Sequence, residues 1–273
     1  MTQRFLGGPA AIAGSLWRNR ALLRASIRRE ILGRYRGSVL GLLWSFFNPL
    51  LMLSVYTFVF STVFKARWSA GSDSRTEFAL VLFAGLIVFN VFSECVARAP
   101  TLVIGNANYV KKVVFPIEIL PWVNMGAALF HMLISVVVWL LAYAVLIGPP
   151  HLTVFWFPLV LLPLVLFVMG VSWFLASLGV YLRDVGQFIG LLITVLTFLS
   201  PIFYPVSALP QEFRDVIYLS PLTPIIEQAR DVLYWGRLPD AWLYVRTLAL
   251  SIVCALAGFF WFQRTRKGFA DVL

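Results

Sequence analysis

The sequence predicts an all-α integral membrane protein. It has six transmembrane helices, an N-terminal amphipathic interface helix and a re-entrant extracytoplasmic hairpin before the last span, with both termini cytosolic. Three observations predict this. The 273 residues are 60% hydrophobic and 12% charged, whereas soluble domains run near 45–50% apolar and about 25% charged. A soluble core of this length cannot hide so much apolar surface. Apolar runs of spanning length recur six times. Finally, the net charge of +10 is concentrated in a few stretches beside those runs, which signals topology and attraction to anionic membrane lipids rather than binding to nucleic acid.

The chain opens with a cytosolic arm, residues 1–38, holding eight arginines and one acid, Glu30. It has no apolar h-region before a small-residue cleavage site, so no cleaved signal peptide is expected. Leu23, Ile27, Ile31 and Tyr35 make a +4 row, as on a surface helix, with Arg18, Arg29 and Arg36 roughly opposite. Glu30 and Arg34 fall near the apolar side and spoil the pattern. The expectation is a helix along the cytosolic leaflet.

Residues 39–273 form a single transmembrane domain. A span needs roughly 20 mostly apolar residues, and six segments qualify: Val39–Phe64, Phe78–Ala99, Ile117–Ile147, Thr153–Tyr181, Val185–Tyr204 and Trp242–Phe262. In the first, Gly37 and Ser38 precede the span as a hinge, and Asn48-Pro49 predicts a kink near Ser45. On one side the connections carry the arginine arm, Lys111, Lys112, Arg183 with Asp184, and the tail Arg264, Arg266, Lys267 and Asp271. The other side carries Lys65, Arg67, Asp73, Arg75 and Glu77, a short turn at Gly148-Pro149-Pro150, and a last loop with five acids against three arginines. The positive-inside rule therefore places both termini in the cytosol.

Three connections and inserts break the simple pattern. "GNANYVKKVVFPIEILP", residues 105–121, holds an element too short to span; it is either plain positive-inside charge or a short cytosolic contact for a partner. In residues 200–239, Thr223 is placed as an N-cap with Pro224 at the first helical position and Gly236 just past the end. That makes a helix of about three turns after a short one over Pro210–Leu219, and together they read as a re-entrant hairpin or an ordinary capping loop. Glu94 and Arg98, at i, i+4, form a helix pair at the cytosolic end of the second span, and His131 lies inside the third.

Some chemistry is excluded. Neither a metal-ligand spacing nor a nucleophile elbow occurs, and no phosphate loop is present. ATP hydrolysis by P-loop chemistry is therefore not expected on this chain. Cys95 and Cys254 sit in apolar runs and make no disulfide framework. Three classes survive: a transport subunit powered by another chain, a membrane enzyme acting on glycolipid, or a passive channel or scaffold. Tyr56, Trp173, Phe203 and Tyr204 are available to stack on sugar rings, although aromatic belts mark membrane interfaces generally.

Four separated stretches, in order along the chain, carry a resemblance: "RYRGSVLGLLWSFFNPLL", "NYVKKVVFPIEILP", "YLRDVGQF", and "LSPIFYPVSALP" followed by "LSPLTPIIEQARDVL". The chain resembles the permease subunits of type-2 ABC polysaccharide exporters, most of all those for O-antigen and teichoic acid, with capsule exporters a near relative. That resemblance implies a homodimer with two ATPase subunits in the bacterial cytoplasmic membrane, with ATP and Mg bound by the partner and no cofactor on this chain. It implies an undecaprenyl-linked glycan as substrate. Leu22–Arg36 becomes the interface helix, and its Arg28, Arg29, Arg34 and Arg36 can meet a pyrophosphate, since guanidinium pairs well with phosphate. The segment 105–116, with Asn106, Tyr109, Lys111, Lys112 and Phe115, couples to the ATPase, together with Arg183 and Asp184 of the fourth-to-fifth turn. The hairpin 205–238, with Pro205, Pro210, Pro221, Pro224, Glu227 and Arg230, becomes the outer gate.

Overall fold

The computed structural model describes residues 9–63, 68, 75–111 and 115–273, and its regular elements among these residues are all helical. Helices α1 (Pro9–Arg18) and α2 (Arg20–Arg34) make the N-terminal arm, and α3 (Trp44–Tyr56) continues as a π-helical stretch over Thr57–Val63. Then follow α4 (Arg75–Arg98), the short α5 (Ala107–Lys111), α6 (Leu120–Leu146), α7 (Phe157–Tyr181) and α8 (Val185–Leu199). The hairpin before the last long helix is α9 (Gln211–Ile217) and α10 (Leu222–Arg230), and α11 (Ala241–Thr265) and α12 (Phe269–Val272) close the chain.

Among the described residues, five helical segments are long and apolar enough to cross a membrane: Gly41–Phe60, Thr76–Thr101, Ile117–Leu146, Leu152–Tyr181 and Ala241–Val272. The expected fifth span, Val185–Tyr204, is shorter than its hydropathy suggested. Its helix stops at Leu199 after 15 residues, about 22 Å at 1.5 Å per residue against a hydrocarbon core of about 30 Å. The cause is Pro201, which disfavours the helical region at the residue before it; Ser200 is extended, at φ −74° and ψ 147°.

The second span, α4, is the axis of the bundle. It touches α3, α6, α7, α8 and α10, and 83% of its most apolar window is buried. Trp139 of α6 donates its indole N–H to the Leu80 carbonyl of α4 at 2.8 Å. Helices α7 and α11 form the most intimate pair because Gly170 and Gly258 let their backbones meet. A Cβ on either glycine would collide with the facing main chain, the small-residue packing expected between membrane helices. Asp240 caps α11 by accepting from the Leu243 N–H at 2.7 Å. By contrast, α3 and α8 leave large apolar side chains open, among them Phe47, Leu51 and Phe58 on one and Phe188, Leu191 and Phe198 on the other.

The bend between α2 and α3 uses two glycines at left-handed φ, Gly37 at +86° and Gly41 at +49°, which L side chains rarely adopt. Pro49 sits inside α3, where it cannot donate to the Ser45 carbonyl; the Ser45 hydroxyl meanwhile donates to the Leu42 carbonyl at 2.6 Å.

Candidate functional site

The apolar row of the arm faces protein. Ile27 lies against Gly126 of α6, where an added Cβ would strike its side chain, and α2 packs along α6. The two residues that spoiled the amphipathy explain themselves here. Arg34 pairs with Glu94, and Glu30 pairs with Arg98 at 2.5 Å, both across to α4. Each helix carries the same Glu-x-x-x-Arg spacing, and the two run so that opposite charges meet. The expected Glu94–Arg98 pair along one helix is thus replaced by two crossed pairs between helices. The signal was in the sequence: a lone acid in an arginine-rich arm, four residues before an arginine, repeated at 94 and 98.

His131 of α6 completes this clasp. Arg34 Nη1 lies 3.3 Å from its Nδ1, and the Tyr35 hydroxyl lies 3.1 Å from its Nε2. Glu94 Oε1 lies 3.6 Å from the same Nδ1, so the imidazole sits among a guanidinium, a carboxylate and a phenol. Burial holds the Tyr35 phenol above its ordinary value, so it stays protonated. These groups border a cavity of about 410 Å³ between the end of α2, α3, α4 and α6.

At the other end of α4, one buried side chain reaches from α10 into that helix. Arg230 is 1% exposed. Its Nε donates to the Val81 carbonyl at 3.1 Å, Nη2 to the Ile202 carbonyl at 2.9 Å, and Nη1 to Glu227 Oε1 at 2.7 Å. The guanidinium carbon lies 4.3 Å from the ring centroid of Trp68. Burial lowers its pKa, and Glu227 opposes that shift. Burial, with Glu227 nearby, also raises the neighbouring Asp231 carboxyl above its usual range. Gly85 makes room for all this, since a Cβ there would sit 2.7 Å from Nη2.

The hairpin divides unevenly. α9 is mostly exposed, whereas α10 is buried against α4 and α7. Its start differs from the expectation: the helix begins at Leu222 behind Pro221, and Thr223 is no cap. Its hydroxyl is buried with no hydrogen-bond partner among the described residues. Pro224 falls in the first turn and is buried, Pro205 and Pro221 are half-buried, and Pro210 is exposed. Gly236 ends the segment at φ +65°, as expected.

A third cluster gathers the end of the bundle nearest α2. Tyr109 stacks on Phe115, with centroids 4.5 Å apart, and Arg29 lies 6.0 Å from the Tyr109 ring centroid. Asn106 donates its side-chain amide to the Leu102 carbonyl at 2.8 Å. α12 packs on both α5 and α7, and Tyr181, beside the exposed Arg183 and Asp184, donates to the Thr265 carbonyl. Glu118 ties the ends together: Ser15 donates to it at 3.2 Å and Arg266 at 3.3 Å. Lys112 lies outside the described residues, as does Phe64, the expected end of the first span. Arg28 and Arg36 are exposed.

The four aromatics separate. Tyr56 and Phe203 are joined through Phe60, at centroid distances of 6.3 and 6.2 Å. The Tyr204 hydroxyl donates to the Leu199 carbonyl. Trp173 is 1% exposed, packed edge-on against Trp122 and Phe259, with its N–H given to the Glu118 carbonyl. Helix packing leaves its ring no face for a sugar.

A family model described as "ABC-2 type transporter" matches residues 21–234. The chain belongs to the ABC-2 type transporter family. As an ABC-2 protein it is a multi-pass inner-membrane permease subunit. It is 29% identical over 258 residues to the "O-antigen export system permease protein RfbA" of Myxococcus xanthus, covering 94% of this chain and 96% of that one. Two proteins of the same name from Klebsiella pneumoniae are also 29% identical, over 256 and 257 residues, each covering 92% of this chain and 95% of theirs. The matched region runs from α2 through the hairpin, so both attachments to α4 lie inside the ABC-2 region.

Proposed function

We propose that this ABC-2 chain is the channel-forming subunit of an ATP-driven exporter of lipid-linked polysaccharide, of the O-antigen, teichoic-acid or capsule kind. In this reading it works as a homodimer with two separate ATPase subunits, and the substrate is an undecaprenyl-linked glycan. Both termini are cytosolic and the chain crosses six times, with α8 and the turn after it making the short fifth crossing.

The observation that carries the reading is continuity along α4. The clasp joins α2 to one end of this helix, and Arg230 joins α10 to the other. The segment 105–116 and the Arg183-Asp184 turn gather near the clasp end, where an ATPase would dock. Movement imposed there passes through the adjustable clasp into α4, and the buried Arg230 joint carries it on to α10. Support for a homodimer comes from α3 and α8, whose open apolar side chains lie on neighbouring elements linked by Phe60, Phe203 and Phe198. The outer end then opens by motion of the hairpin 205–238, with α10 travelling alongside α4. At the inner end the exposed Arg28, Arg29 and Arg36 receive the pyrophosphate, while Arg34 serves the clasp.

The test is co-purification. A P-loop ATPase should come down with this chain, its activity should require the chain, and deletion should leave glycan in the cytosol. A deletion strain that displays normal surface polymer would refute the reading.

A further inference from the structure

The cavity beside the clasp carries an inference of its own, which rests on the export reading above. From Glu77 to Pro100, α4 is buried everywhere except at Asn90, Ser93, Glu94, Ala97 and Arg98. Those spacings of three and one place the exceptions on a single helical stripe. A helix packed on all other sides therefore opens only where it is mainly polar, and its upper part, Asn90 and Ser93, borders the cavity. Asn48 of α3 lines the same space and is exposed, like Asn90. Neither amide side chain has a hydrogen-bond partner among the described residues. At membrane depth an unpaired amide costs several kilocalories per mole, of order 2–7, so this space holds water or a polar ligand.

The lining selects the ligand's chemistry. Arg34 and Glu94 are paired with each other, so the wall offers no net charge to an anion. Each asparagine presents two donors and an acceptor, which matches hydroxyls that both donate and accept. Tyr56 adds a half-buried aromatic ring on the same wall as Asn48, a surface suited to the C–H face of a sugar. The volume, about 410 Å³, lies in the range of small-molecule sites, roughly 300–1,000 Å³.

We infer that this cavity is a binding site for a neutral hexopyranose unit, held by Asn48 and Asn90 and stacked on Tyr56. The experiment uses the full chain in lipid nanodiscs, with the methyl glycosides of glucose, galactose and mannose as probes and inorganic pyrophosphate as competitor. Saturation-transfer NMR should give a saturable signal from at least one glycoside. That signal should fall at least fivefold in Asn90→Leu and in Asn48→Leu, variants on opposite walls whose thermal transitions are checked against the parent. Asn90→Ala reads the same loss if either leucine variant unfolds. Pyrophosphate should not displace the sugar. Absence of any glycoside signal, equal signals in the variants, or displacement by pyrophosphate would each overturn the site. The export reading fails on different grounds, when the ATPase does not associate or the cytosol accumulates no glycan, so the two failures are distinguishable.

Discussion

The two ends of α4 hold their peripheral helices by opposite means. At the clasp, α2 is held by two ion pairs whose side chains keep between 23% and 39% of their exposure. At the hairpin, the polar tie from α10 to α4 is one arginine that is 1% exposed and donates to two backbone carbonyls and a carboxylate, set within the buried packing of α10. Half-exposed pairs are worth little each and can be exchanged. A buried guanidinium cannot be removed cheaply, because the Val81 and Ile202 carbonyls it meets stay behind in buried surroundings. The clasp is thus suited to a joint that adjusts, and the arginine to one that does not.

Removing the arginine should have the largest effect. Arg230→Met leaves the Val81 and Ile202 carbonyls without that donor, and a loss of about 3–5 kcal/mol is expected, read as a drop in the thermal midpoint of the purified protein. Arg230→Lys should rescue little, since one ammonium cannot reproduce the fork.

The glycines beneath each attachment sharpen the contrast. Gly85→Ala drives a methyl against the buried guanidinium and should cost about 1–3 kcal/mol. Gly126→Ala strikes the Cδ1 and Cγ1 atoms of Ile27, but α2 is held to α4 by part-exposed pairs and can shift away, so a smaller loss is expected in the same thermal assay. Equal losses would erase the distinction.

Exchanging charges at the clasp should do less. Glu30→Arg and Arg98→Glu singly place like charges together, and the double exchange restores the pair. A double-mutant cycle should recover a coupling of about 0.2–1 kcal/mol, followed by protease accessibility of α2. The smallest effect is ionic strength. Above roughly 1 M salt, with a Debye length near 3 Å, hydrogen exchange in α2 should rise slightly while that in α10 stays unchanged.

Much of this was legible in residues alone. The apolar runs announced their helices, because hydropathy over some 20 residues leaves few alternatives. Gly236 was marked as the residue just past a helix end, and Gly37 with Ser38 as a hinge or cap before the first span. Other features were not legible. Trp173 was open to a stacking role because sequence cannot tell an aromatic in a belt from one between helices. Thr223 looked like a cap because local rules favour it, but burial of α10 moved the start to Leu222. Glu94 and Arg98 satisfied the spacing for a pair within one helix, and only the approach of α2 gave each a different partner.

By itself, then, the sequence determined the class, the helical content, the charge asymmetry and the exclusion of P-loop chemistry, since composition and periodicity are properties of short windows. The tertiary structure decided which ion meets which, that Arg230 is buried, and that Asn48 and Asn90 share a cavity. Those relations join residues 28 to 149 positions apart, and no local pattern contains the relative placement of two helices.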